Sequence, residues 1–183
     1  IETGSGVKRL RLYIRDGKVS SVSVDMGGVS LRCADVPVLA DGDRLVGQPL
    51  TVGGEDYRVT CLSVGNPHCV VFCDGIDELD LEKTGPAFEY APEFPERVNA
   101  EFVRMVNRRS LRMRVWERGS GETLACGTGA CAAVVAAVEN GYCERDCDVK
   151  VSLLGGELTV NYSGGRVILT GDAVQVYDGS FEY

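Results

Sequence analysis

Cys126 stands immediately before Gly127-Thr128-Gly129, and every residue from Gly129 to Val138 is Gly, Ala, Cys or Val. That spacing predicts a thiol at the mouth of a helix from about Thr128 to Glu139, closed by Asn140-Gly141 as a C-cap. The first four N–H groups of a helix lack internal partners, and the helix dipole adds roughly half a positive charge there. Such a place attracts anions, and a thiol beside it is expected to ionise more readily than the free value of about 8.5. Gly127 and Gly129 carry no Cβ to keep a ligand from the backbone. Thr128 has the side chain of an N-cap. The predicted chemistry is a carboxylate- or phosphate-sized anion held by amides with a thiolate touching it. A cysteine before a helix can equally be structural, and Cys131, inside the run, reads as core.

Other chemistries compete for the same residues. The chain has eight cysteines, at 33, 61, 69, 73, 126, 131, 143 and 147, and one histidine, His68. Cys69/Cys73 and Cys143/Cys147 both have a spacing that zinc sites use, so a metal site stays open as an alternative, with His68 the one histidine that could join them. A disulfide framework suits small exported chains without a core, and Glu2, Lys8, Arg9 and Arg11 interrupt any signal-like apolar segment. The cysteines are therefore expected to be reduced, in a cytoplasmic protein. Gly127-Thr-Gly129-Ala-Cys-Ala132 also fits G-x-G-x-x-A, with Asp146 and Asp148 near the offset of a ribose-binding acid. That fingerprint should follow a long apolar strand, and here the polar Gly119–Thr123 stretch comes first.

The elements that must position Cys126 are mostly strands. Val7–Ile14 and Lys18–Val24 alternate around Arg15-Asp16-Gly17 as a hairpin. Asp56–Val64, Cys69–Cys73, Arg97–Met105 and Ser110–Trp116 read as strands, Asp77–Gly85 as a short helix, and Pro86–Pro95 as loop. Val149–Leu154, Glu157–Tyr162, Arg166–Thr170 and Ala173–Tyr177 read as a closing meander. A helix apolar on all sides must be surrounded, so the expected fold is α+β, a mostly antiparallel sheet wrapped around a central helix. The chain has 183 residues, 44% of them hydrophobic, enough for one or two domains. A net charge of −8 argues against nucleic acid, and the longest uncharged run, the 16 residues from Thr123 to Val138 that include Ala125–Val138, is too short for a membrane span.

GNPHCVVF (Gly65–Phe72), FPERVNAEFV (Phe94–Val103) and WERGSGETLACGTGACAA (Trp116–Ala133), with weaker support from VDMG (Val24–Gly27) and GDAVQVYDG (Gly171–Gly179), resemble the signatures of the diaminopimelate epimerases. The resemblance implies inversion of one α-carbon of LL-diaminopimelate to the meso isomer, for lysine and peptidoglycan synthesis, with no pyridoxal phosphate and no metal. Two cysteines then act from opposite faces of the carbon, a thiolate removing the proton and a thiol delivering one. On this resemblance Cys126 is one catalytic cysteine, and Gly127 and Thr128 supply amide donors to the substrate carboxylate. Asn66 and Asn99 bind substrate polar groups, Glu117 lies near the α-ammonium and shifts thiol ionisation, Arg118 meets the distal carboxylate, and His68 tunes the cysteines. Taken without the family, Asn66 before Pro67 reads as a turn residue, Asn99 as a turn or cap, Glu117-Arg118 as a solvated charge pair, and His68 as a loop histidine.

The family's other cysteine lies in a Cys-Gly-Asn-Gly segment that this sequence lacks. The chain, which begins at Ile1, is accordingly expected to be a piece of a longer polypeptide. Residues 1–25 would be a remnant hairpin of a truncated N-terminal domain, 26–170 a complete C-terminal epimerase domain, and 171–183 a strand returning to the first. The full-length enzyme is implied to be a homodimer, and the fragment alone to be inactive. A related proline-type racemase, or a non-catalytic carboxylate-binding module with Cys126 structural, are the alternatives.

Overall fold

The computed structural model describes residues 1–3 and 6–182. In chain order its strands are β1 (Glu2–Thr3), β2 (Gly6–Val7), β3 (Leu10–Arg15), β4 (Lys18–Gly28), β5 (Gln48–Val52), β6 (Glu55–Ser63), β7 (Pro67–Phe72), β8 (Asn99–Asn107), β9 (Ser110–Glu117), β10 (Gly121–Glu122), β11 (Asp148–Leu153), β12 (Gly156–Ser163) and β13 (Arg166–Asp172). Helix α1 (Leu81–Glu89) lies between β7 and β8, and α2 (Gly127–Glu139) between β10 and β11. β1 pairs only with β2. The others form one sheet in the order β3-β4-β13-β12-β11-β9-β8-β7-β6-β5, with β10 beside β9. Neighbours are antiparallel except β7/β8 and β9/β11.

The sheet curls around α2, which touches β6, β7, β8, β9, β11, β12 and β13. Just beyond β4, Ser30 and Ser63 exchange backbone hydrogen bonds of 3.0 and 2.7 Å, tying the β4 side of the sheet back to β6. All ten residues from Gly129 to Val138 are buried, as the sequence of an all-round apolar helix requires. The helix ends as expected: the N–H of Gly141 (φ 76°) donates to Val138 and that of Tyr142 to Ala137, a Schellman pair that satisfies two terminal carbonyls. The α+β fold with a central helix therefore stands.

The sheet has two buried faces, so β7 and β8 read as continuous apolar runs. Val70, Val103, Leu111 and Val115 pack with α2, while Cys69, Val71, Ala100 and Phe102 pack on the other side with Phe88 of α1. Period-two alternation thereby puts His68 and Glu101 on the α2 face, in register with Val70 and Val103.

Two elements differ from expectation. The short helix starts later and runs on through Pro86 to Glu89, because Asp80 caps it, its side chain accepting from the Lys83 amide. Gly85, another apparent breaker, is there for Trp116: a Cβ on it would come within 2.2 Å of the indole. The second difference concerns Ala173–Tyr177, which forms no strand; β13 ends at Asp172 after pairing with β4, and beyond it the Ala173 amide donates to the Ser20 carbonyl of β4 at 3.3 Å.

Candidate active site

Register places the site. His68 opposes Asn99 across parallel β7 and β8, and Ala100 opposes Trp116 across antiparallel β8 and β9. The first residues of β7 and β8 and the last of β9 therefore meet at one end of the sheet, where α2 begins. Asn66, His68, Asn99, Glu117 and Arg118 come together there with Cys126–Thr128.

Cys126, not Thr128, is the N-cap. Its backbone is extended (φ −131°, ψ 111°), its carbonyl accepts from Ala130 N at 2.9 Å, and its Sγ accepts from Gly129 N at 3.4 Å. Thr128 is pulled inside the helix, its Oγ1 lying 3.6 Å from Cys126 Sγ. Among the described residues the amides of Gly127 and Thr128 have no backbone partner, as the first turn of a helix dictates. The thiol, 6% exposed, is pushed up to about 11, by burial first and then by the Glu101 and Glu117 carboxylates, against the pull of Thr128 and Gly129. The helix mouth alone was expected to lower it. Desolvation and two acidic neighbours outweigh the dipole.

Glu101 was not anticipated as part of the site. It is fully buried on the α2 face, and its Oε1 meets His68 Nδ1 at 2.6 Å; its carboxyl is held above the usual range by burial, with His68 opposing. It also explains Gly129 better than ligand approach does: a Cβ there would lie 2.8 Å from Glu101 Oε1 and 3.2 Å from Cys126 Sγ. The signal was one acid in the middle of an apolar strand, Ala100-Glu101-Phe102. His68 Nε2 contacts Asn66 Oδ1 at 3.0 Å, and Asn66 Nδ2 donates to Thr128 Oγ1 at 3.3 Å, joining the β7 turn to α2.

Asn99 braces two turns. It is 4% exposed, donates from Nδ2 to the Pro67 carbonyl at 2.8 Å, and accepts from the Arg118 amide at Oδ1 at 2.9 Å. Glu117 and Arg118 are not paired with each other. Glu117 accepts from Thr123 Oγ1 at 2.5 Å, while the exposed Arg118 donates to the Glu96 carbonyl at 3.0 Å. Their turn is held by Glu89, 2% exposed, which accepts from Trp116 Nε1 at 2.8 Å and Gly119 N at 2.9 Å. Arg114 forks onto Glu122 at 2.7 and 3.0 Å and fastens the same segment from the other side.

All eight cysteines are free thiols, and the described residues hold no cluster of three His, Cys, Asp or Glu suited to a metal. No long strand leads into α2, and Asp148 is tied to Asn161 at 2.9 Å. No helix among the described residues is long and apolar enough to cross a membrane. A concavity of about 1200 Å³ lies away from Cys126, between the β3–β4 turn and residues 172–175.

Comparison with solved structures bears on the fold. The fold is shared with a hydroxyproline epimerase from Agrobacterium vitis (TM-score 0.66, 17% identity, 93% of this chain and 55% of that one). A probable proline racemase from Agrobacterium radiobacter is equally similar (TM-score 0.66, 16% identity, 93% and 56%). Sequence is more specific. Residues 60–176 match the diaminopimelate epimerase family, and the chain belongs to it. It is 48% identical to the diaminopimelate epimerase of Acetivibrio thermocellus over 184 aligned residues and 47% identical to that of Geobacillus kaustophilus over 185. Both alignments cover all of this chain but only 65% and 64% of the relatives, so it spans about two thirds of their length.

Proposed function

We propose that this chain carries one half of a cofactor-independent, two-thiol epimerisation of LL-diaminopimelate to meso-diaminopimelate. The observation that carries the reading is Cys126 as N-cap beside the unpartnered Gly127 and Thr128 amides. A substrate α-carboxylate accepting from those amides would set its α-carbon beside Sγ. Cys126 as thiolate takes the α-proton, and a thiol on the opposite face gives one up, so the substrate leaves inverted and the two sulfurs exchange protonation. The carbanion character that develops is met by fixed N–H dipoles, worth several kcal/mol when preorganised. A thiol held near 11 is a strong base once ionised, which suits a weakly acidic C–H. The α-ammonium, near Glu117, supplies the positive charge that favours the thiolate. Arg118, exposed and forked, suits the distal carboxylate.

The opposite thiol must come from outside this chain. Cys131, the next cysteine along α2, is fully buried within the helix core. We accordingly assign residues 26–170 to the complete unit, and 1–25 and 171–183 to contacts with a second domain. Exposed Leu12, Ile14, Val174, Val176 and Tyr177 support this. The working enzyme is then a cytoplasmic homodimer, and the fragment does not turn over.

Deuterium exchange at the substrate α-carbon in D2O tests the reading. The chain alone should give no net inversion, whereas a full-length family polypeptide containing it inverts and exchanges. Cys126→Ala in that polypeptide should lower exchange at least about 100-fold, the ordinary contribution of a general base. Unchanged exchange in that variant, or binding of diaminopimelate without exchange in the full-length wild type, would leave only a carboxylate-binding module.

A further inference from the structure

Asn66, His68 and Glu101 form a line of hydrogen bonds that ends at the first turn of α2, and its direction can be read link by link. Asn66 Nδ2 donates to Thr128 Oγ1, which turns Asn66 Oδ1 toward His68. An amide oxygen only accepts, so His68 Nε2 must carry a proton. At the other side of the ring, 2.6 Å separates Nδ1 from Glu101 Oε1, a distance that requires a hydrogen between them. The imidazole and carboxyl thus hold two protons between them and are neutral as a pair.

Burial favours the same count. Both side chains are 0% exposed, and Glu101 Oε2 has no hydrogen-bond partner among the described residues. A bare carboxylate with one empty oxygen is costly in such a place, whereas a shared proton removes the net charge. The titratable groups around the pair are Cys69 from β7, Glu117 from the end of β9 and Cys126 from the start of α2. None is a cation that could offset a lone Glu101 carboxylate.

We propose that Glu101 is a positioning residue: sharing one proton with His68, it fixes the imidazole so that Asn66 accepts from Nε2 and presents its remaining amide hydrogen as a donor to a carboxylate bound at the helix mouth. This role rests on the proposed function only for the identity of the bound carboxylate.

Because His68 is the only histidine, nitrogen-15 NMR of the histidine-labelled chain reads the arrangement directly. The expected result is a hydrogen on Nε2 at pH 7, seen through its one-bond nitrogen–hydrogen coupling. An Nε2 without that hydrogen overturns the proposal without touching the epimerase reading. In the full-length polypeptide, Glu101→Leu should raise the diaminopimelate KM about tenfold, one hydrogen bond's worth, with a smaller change in kcat. Glu101→Gln, whose amide can donate to Nδ1, should restore KM to within about threefold of wild type. Equal behaviour of the two variants overturns the positioning role. A wild-type polypeptide that fails to bind diaminopimelate, with His68 Nε2 still protonated, would instead overturn only the substrate assignment.

Discussion

At residue 129 two physical tendencies oppose each other. Replacing glycine by alanine within a helix is normally favourable by roughly 1 kcal/mol. Here the added methyl would fall 2.8 Å from Glu101 Oε1 and 3.2 Å from Cys126 Sγ. Glu101 has no freedom to withdraw, since it is fully buried and bonded to His68. The steric term should therefore win. Gly129→Ala is expected to lower stability by about 1–3 kcal/mol, the usual cost of overpacking a closed site, and thermal denaturation would show it. A raised melting temperature would mean that Glu101 is looser than its contacts imply. The glycine thus belongs as much to the carboxyl behind it as to any ligand in front.

At the scale of elements, the turn carrying Glu117 and Arg118 depends on α1. Glu89, its last residue, takes the indole N–H of Trp116 on one oxygen and the Gly119 amide on the other. Glu89→Gln would force one of these donors to face an amide NH2. Trp116 is the only tryptophan, so its emission reports the link without interference. The variant should shift that emission and raise the diaminopimelate KM of the full-length polypeptide more than it lowers kcat; unaltered emission would show that the bond does not hold the turn.

The same elements mark how far the sequence could be read. Helix α2, its Gly141 ending and the Asp16-Gly17 hairpin were legible because composition and turn chemistry act locally there. Cys126 and the amides of Gly127 and Thr128 were legible for the same reason. Helix α1 was placed too early because Gly85 and Pro86 signal a break, and only the Trp116 ring, distant in sequence, explains the glycine. Thr128 reads as the cap because hydroxyls usually cap, whereas the thiol two residues earlier has the extended backbone. The upward shift of Cys126 was out of reach: it depends on Glu101, brought there by β8, and on burial that no local pattern encodes.

Over the whole molecule the cysteines make stability depend on pH. Burial raises Cys33, Cys69, Cys73, Cys126, Cys131 and Cys143, with Cys126 and Cys143 at about 11 and Cys131 at about 12. A thiol whose folded value is raised keeps its proton in the native state after the unfolded chain has released it. Its contribution is fully present below the unfolded value near 9.0 and is lost as pH climbs through the folded one. Each such thiol removes up to about 1.4 kcal/mol per pH unit across that window. Under reducing conditions the chain should therefore lose stability steeply between about pH 9 and pH 11 while staying level between pH 7 and pH 8. Cys131 isolates the effect, being fully buried inside α2 and away from the open end of the site. Cys131→Ala should lower the plateau slightly through lost packing, and its alkaline slope should be shallower by one thiol's share. Urea melts of both proteins at half-unit steps of pH separate these changes. Parallel slopes would show that some other group drives the alkaline loss.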